Sequence, residues 1–392
     1  MRERSTQLSM FTKEKREVFL PVDYSPVHSE YFDVSRIFLA KGSTSTPERR
    51  SFVERIVSLY PGVEVINCPD TPHNRIKISE KDILELHRIG KKTLVFGELK
   101  SAVRFSQEEG NTCPNYWHFS PYGFCPFDCK YCYLAGTQGV KFSPTVKIYV
   151  NLPEMINEID RISVRLGKPT SFYIGKLQDP LALDPLTAYS GTMIPFFAKH
   201  PFARLTLLTK SDNVNRLLGI EHGGNTILSW SVNPPEICAE FEENVPAMDE
   251  RLEAMDRVAS VGYPVRAVIM PIIPVDGWHE VYKVFTVRLL REIPIQRLTI
   301  GGICIYRSAR NIMERKLGKQ NPISKNIEKN IGNLGDGRTR YSHELREKMY
   351  ATIIRAARQI RPDLNIALCL EEIQMWKNLG LKKNLGRCNC VL

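Results

Sequence analysis

At 392 residues the chain is long for one small domain and short for three, so two packed units or one enlarged domain are expected. With 43% hydrophobic and 25% charged residues it carries enough apolar side chain to fold, which excludes wholesale disorder. A net charge of +11 favours an anionic partner, either nucleic acid or an anionic small molecule. No run approaches eighteen uncharged apolar residues and the first thirty lack an apolar core, so neither a membrane span nor an export signal is expected. Ten cysteines in such a chain suit a reduced, cytoplasmic setting, where thiols serve as core filler, metal ligands or reactive groups.

In chain order, residues 1 to about 20 read as polar and loose. A helical period follows at 47–60, with short apolar runs at 63–67 and 93–96 and a helical stretch at 79–88. These make residues 1–110 a small N-terminal α/β cap. From 113 onward, runs at 116–121, 171–175, 203–209, 226–232, 264–270 and 297–303 alternate with helical stretches at 153–166, 186–199, 246–261 and 278–291. Strand and helix in alternation predict parallel strands joined by right-handed crossovers. Six βα units over 111–305 suit a partial (β/α)6 barrel better than a closed eightfold one, and place the chemistry at the strand C-termini. Residues 306–392 read as a C-terminal extension. Its 307–348 portion holds eleven Lys or Arg against five Asp or Glu, 319–340 is loop-like, 343–360 helical, 364–370 apolar, and the chain finishes GRCNCVL.

Cys125, Cys129 and Cys132 form C-x3-C-x2-C just after a predicted strand. Three thiolates on one loop hold a metal centre and leave one coordination position open, as on a [4Fe–4S] cluster whose fourth iron chelates a substrate. The alternative is zinc, with His118 as a fourth ligand. Cys68, Cys113, Cys238 and Cys369 sit among apolar residues and read as core. Cys304 reads as filler at the end of strand six, on the active rim. The Gly pairs at 223–224 and 301–302 do not open a helix after a strand, so a dinucleotide fingerprint is rejected.

The C-x3-C-x-aromatic-C pattern, with Tyr131 before the last cysteine, resembles the radical S-adenosylmethionine (SAM) enzymes. CYLAGTQGV, KIYVNLPE, LLTKSD, SWSVNPPE, RLEAMDRVASVGYPV and PIIPVDGWHEVY resemble, in order, segments of the spore photoproduct lyase family, as does HNR at 73–75. The resemblance implies a radical SAM barrel with a [4Fe–4S] cluster on the three cysteines. It also implies reductive cleavage of SAM to a carbon radical, and an electron donor such as flavodoxin or ferredoxin. Residue by residue, it implies that Lys210 meets the SAM carboxylate, that Ser231 lines the SAM pocket and that Asp179 belongs to the Asp-Pro after strand two. Without it, Lys210 reads as a surface lysine, Ser231 as an ordinary strand serine and Asp179 as a helix cap. Tyr133 and Arg307 fall where that family places a lesion-side tyrosine and a DNA-backbone contact. A monomer is expected.

One departure stands out. Where the family carries a hydrogen-donating cysteine, four residues before the Pro of Asp-Pro, this chain has Lys176. An ammonium N–H bond is far stronger than S–H, so the exchange points to a substrate other than spore photoproduct, and Lys176 itself reads either as a clamp for a phosphate, carboxylate or oxyanion or as a solvent-facing loop lysine. Cys388 and Cys390 beside Arg387 are expected to have depressed thiol pKa values and a functional role. A C-terminal cysteine cluster on such a protein also resembles, in arrangement, the enzyme of arsinothricin biosynthesis, which transfers a 3-amino-3-carboxypropyl group. That transfer and repair of a thymine lesion in DNA are the alternative functions. A non-enzymatic nucleic-acid binder using the basic 307–348 segment is a third.

Overall fold

The computed structural model describes residues 18–107, 111–328 and 338–392. Most of the N-terminal stretch expected to be loose, and part of the 319–340 loop, lie outside the described residues. Two sheets organise the rest. The first contains β1 (Arg36–Ala40), β2 (Glu64–Cys68) and β3 (Thr93–Gly97). The second begins with β4 (Val103–Ser106) and β5 (Tyr116–Phe119). The chain then returns to the first sheet with β6 (Tyr122–Gly123) and, beyond a short β7 (Asp128–Cys129), with β8 (Val146–Tyr149).

The second sheet is then built by β9 (Thr170–Ile174), β10 (Ala203–Thr209), β11 (Thr226–Ser231), β13 (Val265–Ile269), β14 (Arg297–Ile300) and β17 (Asn365–Leu368). Between them, β12 (Glu242–Glu243) pairs antiparallel with β7, and β15 (Cys304–Tyr306) with β16 (Arg338–Arg340). The first sheet runs β2-β1-β3-β8-β6 and the second β17-β14-β13-β11-β10-β9-β5-β4. All six strands expected for the barrel are present and parallel; β17 adds a seventh, and β4 caps the other edge antiparallel to β5. Among the described residues no ladder closes β17 onto β4, so the barrel is open.

The strands read as near-continuous apolar runs because both faces are covered, as parallel sheets require. All six residues of β11 are buried. Helices supply the outer cover. In Leu152–Leu166, Leu152, Met155, Ile156, Ile159 and Ile162 form the inward stripe, and Gly167 at φ +59° ends the helix in the left-handed cap only glycine adopts freely. Arg307–Leu317, in the basic stretch, is also a helix. Its Ala309, Ile312 and Met313 are buried, leaving the charges outside.

Candidate active site

The loop carrying the three cysteines crosses the C-terminal end of the barrel and is pinned from three sides. From the N-terminal unit, Lys91 donates to the carbonyls of Cys125 (2.9 Å) and Phe127 and lies 4.3 Å above the Phe124 ring. From helix 307–317, Lys316 holds Asp128 at 2.7 Å. From the barrel, β12 pairs Glu242 with Cys129, and the Lys130 amide donates to the Phe241 carbonyl at 2.8 Å. Burial works against the Asp128 charge, but Lys91 and Lys316 outweigh it and hold the carboxyl below its ordinary range. Lys91, at the end of the Ile83–Lys91 helix, is therefore part of the site's scaffold.

Cys125, Cys129 and Cys132 wall one cavity of about 200 Å³, together with Tyr131, Tyr133, Gly175, Asp179, Lys210, Ser231 and Cys304 among others. Gly175 is required at its place. Its φ is +132°, and a Cβ there would stand 2.9 Å from Leu208 Cβ and 3.0 Å from the Tyr173 hydroxyl. A larger cavity of about 450 Å³, lined by Val18–Tyr24 and residues of the 188–199 stretch, contains none of these groups.

The electrostatic centre of the site was not anticipated from sequence. Glu242 is fully buried and accepts from Lys210 Nζ at 2.5 Å, from Arg251 and from the Tyr131 hydroxyl. Burial alone would raise its pKa; the two cations reverse that and hold it at about 2. Lys210 also donates to the Tyr131 hydroxyl at 2.8 Å. An acid two residues short of an otherwise apolar-flanked Asn-Val-Pro was the available signal, but its partners lie 32 and 111 positions upstream and 9 downstream.

Asp179 is committed. Its Oδ1 accepts from the amides of Leu181 and Ala182, both at 3.0 Å, and from Thr209 Oγ1 at 2.7 Å, and its Oδ2 from the Lys210 amide at 2.8 Å. Burial raises its pKa despite these donors. Asp179 thus caps a turn and fixes the backbone of Lys210 rather than offering free oxygens. Ser231 is buried on the cavity wall, and its carbonyl accepts from Arg251 at 3.2 Å. Tyr133 lines the cavity and donates to the Lys176 carbonyl. The Lys176 side chain turns toward the β4–β5 hairpin, where it donates to Ser106 Oγ and stands 5.3 Å above the Tyr116 ring.

Cys388 and Cys390 are not on this cavity. Residues 388–391 lie against strands β9, β11, β13 and β14 and are held there by Ser171, Ser229, Arg266 and Arg297. Cys388 does carry a depressed pKa. The cause is hydrogen bonding from the thiols of Cys113, Cys369 and Cys390, and not the neighbouring Arg387; the same contact raises Cys390. Cys113 and Cys369, expected in the core, are only partly buried, as is Cys68.

Thiols in such a cavity suit a cationic inorganic centre. Burial pushes Cys125 well up and Cys129 up to about 12, so thiolates form there only when metal charge compensates them. Among the described residues no three His, Cys, Asp or Glu stand at ready-made single-ion spacing. His118 lies on β5 and does not line the cavity, so the tetrahedral zinc alternative lacks its fourth ligand there.

The family model for spore photoproduct lyase matches residues 36–369. The spore photoproduct lyase of Bacillus subtilis (strain 168) is 30% identical over 236 residues, covering 59% of this chain and 66% of that protein. The one from Geobacillus sp. (strain Y412MC61) is 29% identical over 260 residues, covering 66% and 73%. Among solved structures, a spore photoproduct lyase complexed with dinucleoside spore photoproduct superposes with a TM-score of 0.75 at 23% identity, covering 86% of this chain and 99% of that one.

Proposed function

The chain belongs to the spore photoproduct lyase family, whose members are radical SAM enzymes, and from that premise we propose that it cleaves SAM reductively at the cavity walled by Cys125, Cys129 and Cys132 and acts on a substrate other than spore photoproduct. The observation that carries this reading is the meeting of three thiols from one loop with Lys210, Tyr131 and Ser231 around a single cavity. When bound there, a [4Fe–4S] cluster with SAM supplies one-electron cleavage of a C–S bond and a carbon radical.

The chain's own residues position and shield. Lys91, Lys316 and β12 hold the thiol loop in place. Glu242 and Tyr131 take two of the three ammonium hydrogens of Lys210, leaving the third for a carboxylate on the cavity side. Asp179 and Arg251 keep that assembly in register, and Ser231 completes the SAM wall. Tyr133 forms the substrate side, with its hydroxyl tied to the backbone of Lys176.

The choice of substrate rests on Lys176, which stands where the family's hydrogen donor is a cysteine, and on the +11 charge, which favours an anionic small molecule or nucleic acid. Among the described residues no helix is long and apolar enough to cross a membrane. The proposed reaction needs a one-electron reductant, and the reading assigns that role to a flavodoxin or ferredoxin in the cytoplasm. The test uses anaerobically reconstituted protein, reductant and SAM, with a synthetic dinucleoside photoproduct. SAM is cleaved, no thymine is restored, and Cys129→Ala abolishes both iron content and cleavage. Restored thymines would overturn the substrate reading, and an iron-free protein would overturn the whole of it.

A further inference from the structure

A second group of thiols lies outside the lining of the cavity. Cys388 is in hydrogen-bond contact with three other thiols, Cys113, Cys369 and Cys390. The Cys388 and Cys390 sulfurs are 4.0 Å apart, about twice the ~2.05 Å of a disulfide bond. The four come from three segments far apart in the chain: the approach to β5, the exit from β17, and residues 388–390. Cysteines serving as apolar filler have no reason to gather on one another.

The surroundings suit a thiolate-rich cation site. In a tetrahedral four-thiolate shell with metal–sulfur bonds of about 2.3 Å, sulfurs are separated by about 3.8 Å, close to the Cys388–Cys390 spacing. Four thiolates around a divalent ion leave a charge of −2, and two buried guanidiniums face them. Arg266 donates to the Asn389 carbonyl at 3.2 Å and the Val391 carbonyl at 2.6 Å, and Arg297 to the Cys388 carbonyl at 2.8 Å. The two ends of the open sheet already meet here. The Thr112 amide and hydroxyl both donate to the Glu371 carbonyl at 2.8 Å, and Trp376 Nε1 donates to Thr112 Oγ1 at 2.8 Å.

We propose that Cys113, Cys369, Cys388 and Cys390 bind one thiophilic divalent cation of the zinc type, separate from the radical SAM centre, which fastens the two ends of the open barrel and the 388–391 segment to one another. Among the described residues no group of three or more His, Cys, Asp or Glu stands at ready-made single-ion spacing, the 125–132 trio included. Soft, all-sulfur donors select zinc, cobalt or cadmium over magnesium or calcium.

The test uses the full chain, purified anaerobically and stripped with chelator, with Zn(II), and Co(II) as its spectroscopic substitute. One equivalent of Zn(II) lowers the alkylation of Cys113, Cys369, Cys388 and Cys390, mapped peptide by peptide, relative to the stripped protein, while the extent of modification of Cys125, Cys129 and Cys132 is the same with and without the ion. Co(II) gives a tetrahedral four-sulfur signature, and Cys369→Ser weakens binding at least tenfold while Cys129→Ala leaves it unchanged. Protection of the 125–132 thiols alone, a disulfide among the four, iron sulfide in place of a single ion, or no protection each overturns the proposal. Because alkylation is read separately at the two groups, failure here is distinguishable from failure of the radical SAM reading.

Discussion

Glu242→Gln isolates the buried charge triad. The substitution keeps shape and removes the anion, leaving the Lys210 and Arg251 cations facing a neutral amide in a site where the Glu242 side chain is 0% and the Arg251 side chain 1% exposed. Breaking a buried pair by removing one partner costs about 3–5 kcal/mol. An independent figure comes from linkage: a carboxyl held at about 2 instead of its usual 4.5 corresponds to about 3 kcal/mol at neutral pH. Since the folded pKa is depressed, this stability is fully present above pH 4.5 and is lost as pH falls toward 2. At roughly 2.1 cal/mol/K per residue, a chain of 392 residues has an unfolding entropy of about 0.8 kcal/mol/K, so 3–5 kcal/mol lowers Tm by about 4–6 °C. Anaerobic calorimetry at pH 7 reads the shift directly. A variant melting within 1 °C of the parent would refute the triad's energetic role. Replacing all three charges together by apolar residues is expected to cost less than Glu242→Gln, since no orphan charge then remains.

Two more outcomes follow from local geometry. Gly175→Ala forces φ +132° on a residue with a Cβ and drives that Cβ to 2.9 Å from Leu208; a loss of about 1–3 kcal/mol and weaker SAM binding are expected, read by thermal melting and by isothermal titration with SAM. His87 is buried beside Lys91, and burial, reinforced by that lysine, lowers its pKa to about 4. It therefore favours folding fully above pH 6.5, with roughly 2 kcal/mol of that lost by pH 5, and its ring NMR shift titrates near 4; a midpoint near 6.5 would contradict its burial.

The parts legible in the sequence were those encoded locally. β-branched runs such as ARLTLLT and TILSWS fixed six strands because a two-face-buried strand carries its signal within seven residues. The thiols of 125, 129 and 132 were legible because they share one loop. β17 went unassigned to the barrel because an apolar run after a long basic stretch does not say which sheet it joins. Helix 307–317 was masked by its charges, although Ala309, Ile312 and Met313 mark an apolar face. Glu242 and the Cys113–Cys369–Cys388–Cys390 group are products of tertiary convergence, and no spacing rule covers thiols separated by more than 250 positions. The direction of the Lys176 side chain was hidden for the same reason: it is set by Ser106 and Tyr116 on another hairpin.

The β7–β12 ladder has a consequence for anyone moving this chemistry elsewhere. Through its backbone Glu242 sets the height of Cys129, and through its carboxylate it aims Lys210, so a single residue is the ruler for both. A graft of residues 124–133 alone into another α/β scaffold would carry the sulfurs without that ruler. The transplantable unit is the loop together with 238–251 and position 210, three pieces that have to travel as one.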